Sequence, residues 1–439
     1  MRAIRYVGMM VLSAALLLLS AAPATAATPP RAEPPAKADP LPRITTRDGN
    51  FVEKDTGKVF HLRGFNYIRL VGSWHRTFDV NLYDAPRAEA MFADLRANGF
   101  NTVRVFIDHQ RNGLSPPGAQ DFPAQYIDNF VDFCQRARAA GIYVVPAVLE
   151  LPNLPRYRIP QGEGRGSRGG GGGISGPNAM ILTPEGVAAK AAYMADFAAA
   201  VKARDPGVMS TILAFEMDNE THFRAAAPFT NRAPFTDGWG QTYDLTKSSE
   251  IQRLADDAVI RWANASVASV RAVDPDAIVT INVFTFRAVG RTGPGTFLED
   301  EDRATAAQRR LDRRFPARPL ALARSNIGYV DIHFYPFDNR TLDRDLVAIE
   351  FEQFKQACQQ SGKPMIVGEF GAFKNPYPTI SAAADAMRAH LKRFYDLGFV
   401  GYLYWTYDTD EQNYLWNGKS ADGEILQVLK QVHALAEAR

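Results

Sequence analysis

Two glutamates end short apolar runs of this sequence, and each opens a polar cluster. Glu220 closes the stretch TILAFEMDNETHF at 211–223, whose apolar part is too short for a helix and follows Asp205-Pro206-Gly207, as a buried parallel strand would. Glu369 follows Met365-Ile366-Val367, a second such run, in the sequence Gly368-Glu369-Phe370-Gly371. Paired carboxylates delivered by two strands suit glycoside hydrolysis, one protonating the departing oxygen while the other attacks the anomeric carbon. A single strand-terminal Glu is more often solvated or salt-bridged, so its neighbours decide. Asn219 precedes Glu220, Arg104 lies in the second apolar run, His333 and Tyr335 end the sixth, and Trp405 ends the eighth. A barrel would aim all of them at one pocket on the C-terminal face of its strands.

The elements that must position these groups alternate between short apolar strands and amphipathic helices after Arg43, as in βαβ units. Strands are predicted at 60–66, 102–107, 143–148, 212–215, 278–283, 329–334, 365–367 and 400–405, with helices at 86–97, 126–140, 184–203, 249–273, 346–361 and 381–397. The fold class is therefore α/β, a (β/α)8 TIM barrel with long loops on the C-terminal face. Residues 287–326 are long, polar and irregular and give the weakest pattern. Residues 224–248, with Trp239 and Tyr243, form a loop long enough to bind something.

The organisation read from the sequence is a signal peptide at 1–26, a Pro-rich linker at 27–43 and a catalytic barrel at 44–439. Arg2 and Arg5 precede an apolar run shorter than a membrane span, and Ala24-Thr25-Ala26 suits cleavage, so export to the periplasm or medium is expected. Lys and Arg number 50 against 48 Asp and Glu, a net charge of +2 that gives no electrostatic case for nucleic acid or for a membrane after signal cleavage. The two cysteines, Cys134 and Cys358, fall on helices expected on nearly opposite sides of the barrel and are expected to be free. The glycine-rich stretch 162–177 lacks the Gly-Lys-Ser/Thr of a phosphate cradle and reads as a flexible loop. Seven histidines without His-x-His or His-Glu-x-x-His spacing give no support for a metal, and no cofactor is expected.

In combination, LRGFNY at 62–67, NTVRVF at 101–106, AFEMDNE at 214–220, IHFYP at 332–336, KPMIVGEFG at 363–371 and GYLYWTY at 401–407 are specific. From residue 44 onward the chain resembles glycoside hydrolase family 5 of the clan A retaining glycosidases. The resemblance implies that Glu220 is the acid/base and Glu369 the nucleophile. It further implies that Asn219 holds a sugar 2-hydroxyl, that Arg104 and Tyr335 orient the nucleophile, that His333 lines the pocket near the acid/base and that Trp405 floors the subsite. Two departures stand out: Thr221 occupies the place of a common Pro, and Leu149 or Glu150 the place of a His that many family cellulases carry. Family mannanases also lack that His, so β-glucan and β-mannan both remain candidate substrates. Trp74 and Trp239, in inferred loops, are candidate sugar-stacking residues, as is Trp416. His75 and His222 are more simply hydrogen-bonded partners, and Glu216 and Asp218 supporting groups. The expected protein is a secreted, monomeric, retaining β-glycosidase acting on a β-linked polysaccharide or oligosaccharide. A transglycosylase and a non-catalytic carbohydrate-binding protein on the same barrel are the alternatives.

Overall fold

A computed structural model describes residues 38–72, 74–159, 173–296 and 314–437. Residues 1–26, read as a signal peptide, residues 27–37 of the stretch read as a linker and most of the glycine-rich stretch lie outside the described residues. No helix among those described is long and apolar enough to cross a membrane.

Eight parallel strands close into a barrel in chain order. They are β1 (Arg63–Asn66), β2 (Thr102–Ile107), β3 (Tyr143–Val148), β4 (Phe215–Glu216), β5 (Val279–Phe284), β6 (Val330–His333), β7 (Met365–Phe370) and β8 (Gly401–Tyr404). The strands and helices form a (β/α)8 barrel, as the alternating pattern predicts. The outer ring contains α1 (Ala85–Ala97), α2 (Ala124–Ala140), α3 (Pro184–Arg204), α4 (Ser248–Val273), α5 (Pro319–Arg324), α6 (Phe351–Ser361), α7 (Ile380–Leu397) and α8 (Ser420–Glu437). Short polar side chains cap the starts of α1 and α3, where Asp84 accepts from the Arg87 N–H at 2.9 Å and Thr183 from that of Gly186 at 3.0 Å. Gly141 and Gly398 terminate α2 and α7 in the left-handed conformation that a side chain would strain.

Strand periodicity divides each strand between two cores. Val103, Val105 and Ile107 of β2 pack outward against helix residues such as Phe92 and Phe130. Tyr143, Val145, Leu213, Ile278, Tyr329, Ile366 and Leu403 fill the barrel interior. The lower end of that interior is plugged by Ile44 and Phe51 of a hairpin, Ile44–Arg47 with Asn50–Glu53, turned by Asp48-Gly49 at φ 49° and 76°. Just before it, in the stretch read as a tether, Leu41 packs on the plug, the Pro42 carbonyl accepts from the Tyr143 hydroxyl at 2.7 Å, and Arg43 pairs with Asp274 at 2.8 Å.

The structure corrects several boundaries. The fourth strand begins at Phe215, because Pro206–Ser210 is a 3₁₀ turn and Ile212 makes only an isolated bridge to Val144. The helix predicted at 346–361 is two helices, Asn339–Ala348 and α6, separated by Glu350 in left-handed geometry at φ 55° with its carboxylate on Arg318. Cys134 and Cys358 are both free and buried.

Candidate active site

The same periodicity that packs Val103 and Val105 outward turns Arg104 into the barrel mouth, where it is fully buried. Burial disfavours its charge, but Glu216 and Glu369 keep the guanidinium protonated. It donates to Glu216 at 2.5 and 3.2 Å, to Glu369 at 2.7 Å, to Asn66 at 2.9 Å and to Asn219 at 2.8 Å. Four strands are thereby tied to one cation. Glu216, read as a supporting group, is the carboxylate that grips Arg104.

Glu369 lies on β7 and is 3 % exposed. Strict alternation from inward Ile366 and outward Val367 would send Glu369 outward, into the helices. It does not, because Asp331 pairs with Ile366 while His333 pairs with Glu369, so one residue of β6 faces two of β7. The bulge at Gly368 reverses the parity: Glu369 faces the mouth and Phe370 packs outside. Glu369 then accepts from Arg104 and, at 2.6 Å, from the Tyr335 hydroxyl. Burial pushes its carboxyl above the usual range, against the opposing pull of His333, Arg104 and Tyr335.

Glu220 lies beyond the end of β4, in a connection that holds it at φ 51°, a conformation costly for a residue with a side chain. Its N–H donates to Asn282 of β5 at 2.5 Å, and its carbonyl bonds His222 Nδ1 at 2.8 Å. The carboxylate accepts from Arg314 at 3.0 Å and lies 3.4 Å from His333 Nδ1. Burial alone would raise this carboxyl, but His333 and Arg314 outweigh it and hold it below its ordinary value. His333 is itself raised: the charges of Glu369, Glu220 and Asp331 outweigh its burial. One oxygen of each glutamate and one ring nitrogen of His333 all lie within 4.8 Å of one another.

Trp405 joins this site from the end of β8. Its ring meets Phe106 edge-on at 5.8 Å and its Nε1 donates to Gln412 at 2.8 Å. His75 stacks on the same Phe106 at 4.0 Å, which brings its chain neighbour Trp74, 49 % exposed and paired with Val71, to the rim. Trp239 sits on a separate hairpin, Pro234–Thr236 with Thr242–Asp244, with one ring face covered by the Arg261 guanidinium at 4.2 Å. Only its other face is left for a ligand. Trp416 donates to the Tyr377 carbonyl at 2.8 Å and carries Lys374 over its ring.

Sequence reading passed over Asn66, Asn282, Asp331 and Arg314. The first three carry a detectable signal, since each is a polar residue at an inward position of an otherwise apolar strand. Arg314 carries none. It stands in the irregular stretch, on a short strand Arg314–Pro316 that pairs with His222–Arg224 and so reaches Glu220 from outside the barrel.

Residues 52–411 match the family model Cellulase (glycosyl hydrolase family 5). The chain belongs to glycosyl hydrolase family 5. It is a glycoside hydrolase, and its barrel is the family's fold. No curated protein matches the sequence. Among solved structures, the exo-β-1,4-mannosidase Op5Man5 from Opitutaceae bacterium strain TAV5 superimposes with a TM-score of 0.54 at 15% identity, covering 89% of this chain and 62% of that one. This chain thus spans less than two thirds of that mannosidase. An endo-1,4-β-mannanase from Rhizomucor miehei gives 0.52 at 13% identity, over 90% of this chain and 100% of the other. A family 5 protein from Streptomyces cattleya, solved in complex with GlcNAc, gives 0.53 at 16%, over 86% and 80%. At these identities the likeness speaks for the fold alone.

Proposed function

We propose that this family 5 enzyme is a secreted retaining β-glycosidase that cuts a β-linked glucan or mannan by double displacement, with Glu369 as nucleophile and Glu220 as acid/base. The observation that carries the reading is the separation of the two carboxylates. One oxygen of each lies within 4.8 Å of the other, which fits the roughly 5–5.5 Å between the carboxyl groups of a retaining pair better than the about 6.5–9.5 Å of an inverting pair. Their surroundings divide the roles. Arg104 and Tyr335 fix both oxygens of Glu369 in place, which suits an attacking group. Glu220 lies in the connection at the rim, its side chain 23% exposed, where a leaving group can reach it.

The unliganded electrostatics add a requirement. An acid needs its proton at working pH, whereas Arg314 and His333 favour the ionised form of Glu220. Arg314 must therefore withdraw or be neutralised when the sugar leaving group settles against Glu220. Attack by Glu369 then forms the glycosyl-enzyme, and Glu220, now a base, activates the water that resolves it. The substrate reading rests on the cellulase family to which the chain belongs and on its likeness to mannan-acting structures. Either polymer presents the equatorial β-linkage that Trp405 could stack beneath. Export rests on the N-terminal sequence, and a monomer is the simplest state.

The test is to incubate the enzyme with a 2-deoxy-2-fluoro aryl β-cellobioside or β-mannobioside and locate the trapped sugar by peptide mass spectrometry. A fluorosugar ester on Glu369 is expected. A label on another residue, or inversion of the product with either sugar, contradicts the reading.

A further inference from the structure

The mechanism above uses Glu369 but leaves unexplained why β7 bulges to present it. Gly368, the residue at the bulge, donates its N–H to Asp331 Oδ1 at 2.7 Å, and its carbonyl accepts from Asn66 Nδ2 at 2.9 Å. Two side chains hold this peptide. The Asp331 carboxyl lies so close that a Cβ on residue 368 would meet its oxygens at 2.0 and 2.3 Å, so only glycine fits beneath it. Asp331 is fully buried, and its Oδ2 has no hydrogen-bond partner among the described residues; the same is true of His333 Nε2. Oxygens of Asp331 and Glu216 and one His333 nitrogen lie within 4.8 Å of one another. Asp331 and His333 share a strand face two residues apart.

We propose, resting on the retaining reading, that Asp331 is a positioning residue for the reaction: it clamps the Gly368 bulge that turns Glu369 into the mouth, and its charge acts through His333 on both reacting carboxylates. The charged and titratable groups around it are Glu216 of β4, Arg104 of β2, Tyr329 and His333 of the sixth strand segment, and Glu369 through His333. Burial pushes the Asp331 carboxyl up to about 7, with Glu216 adding and His333 and Arg104 subtracting. Asp331 is thus largely neutral on the acid side of neutrality and charged on the alkaline side. Ionising it favours the protonated form of His333, whose charge in turn favours the ionised forms of Glu220 and Glu369. As pH rises past neutrality, that added charge keeps His333 protonated further into the alkaline range.

Asp331→Asn keeps an oxygen for the Gly368 N–H but removes the charge, whereas Asp331→Ala removes both. Two readouts on the full chain test them. The first, independent of turnover, is the His333 titration followed by NMR on ¹³C-histidine-labelled protein, assigned with His333→Gln. The expected midpoint in Asp331→Asn falls by on the order of one pH unit, a tenfold loss of proton affinity. The second is the pH profile of kcat/KM on an aryl β-glycoside. In Asp331→Asn the alkaline limb should move to higher pH, because a His333 that loses its proton earlier no longer holds Glu220 in its ionised form, with the acid limb unmoved. Asp331→Ala should lose about a hundredfold or more in kcat with KM within threefold, because Glu369 is misaimed while sugar contacts survive.

An Asp331→Asn midpoint and alkaline limb that superimpose on wild type overturn the electrostatic part. An Asp331→Ala variant, folded by circular dichroism, that keeps more than a third of wild-type kcat overturns the clamp. If Asp331→Ala does not fold, Asp331→Asn decides: with the clamp's acceptor kept, its plateau kcat must stay within tenfold of wild type. If wild type turns over no β-glycoside, the proposed function fails, while the His333 titration still decides the electrostatic link on its own.

Discussion

The two glutamates of this enzyme reach the same few ångströms of space by opposite routes. Glu369 is built into the barrel: it stands on β7, beside a bulge held by Asp331 of β6 and Asn66 of β1, and receives Arg104 and Tyr335 from strands or strand ends. Glu220 is built outside it, on a connection with strained backbone, and is met by Arg314 from a short strand that is no part of the barrel. A nucleophile must be aimed at one atom, which a rigid, enclosed setting serves, and it must be ionised, for which His333, Arg104 and Tyr335 oppose the effect of that burial. An acid/base must gain, lose and regain a proton as leaving group and water come and go, and a rim position with a displaceable partner serves that.

Breaking each half should give different losses. The largest is expected for Glu369→Gly, which removes the proposed attacking group. Polysaccharide turnover should fall by about four orders of magnitude or more, and azide should restore only an α-configured glycosyl azide from an activated aryl glycoside. Glu220→Ala should cost as much on polysaccharide, but far less for the first step on a substrate whose leaving group departs without protonation. Azide should then yield the β-configured product. Product NMR distinguishes the two, and exchanged configurations would show the roles reversed.

Arg104→Ala comes next. It leaves Glu216 and Glu369 buried without their cation, a change that costs roughly 3–5 kcal/mol when a buried pair loses one partner. Chemical denaturation should show that loss, and kcat should fall with it. Arg314→Ala should be the mildest. Arg314 lowers the Glu220 carboxyl, so its removal raises it, and the alkaline limb of kcat/KM should move to higher pH with little change in stability. A limb that stays in place would mean that Arg314 does not act on Glu220.

The contrast also marks what could be read from the sequence. Strands such as TVRVFI at 102–107 show their period plainly, and that period alone sends Arg104 inward, so the barrel and most of the Glu369 side were legible. Asn66 and Asp331 are polar residues on inward positions of the same strands and could have been found by that rule. The bulge could not, because Gly368 reverses a parity that the sequence appears to continue, and only pairing with β6 reveals it. The plug hairpin at 44–53 carries an Asp-Gly turn signal that was legible but lay before the first predicted strand. On the Glu220 side the pattern fails: Arg314 belongs to a short strand paired with His222–Arg224, about ninety residues away, and no local periodicity encodes such a pairing.

The most direct measurement is the anomeric configuration of the first product, followed by ¹H NMR while a β-linked oligosaccharide of glucose or mannose is being hydrolysed. With Glu220 and Glu369 as close as they are, the β-anomer should accumulate first and mutarotate later to the equilibrium mixture. An α-anomer appearing first would mean that a water attacks directly, and the double-displacement roles of the two glutamates would be wrong.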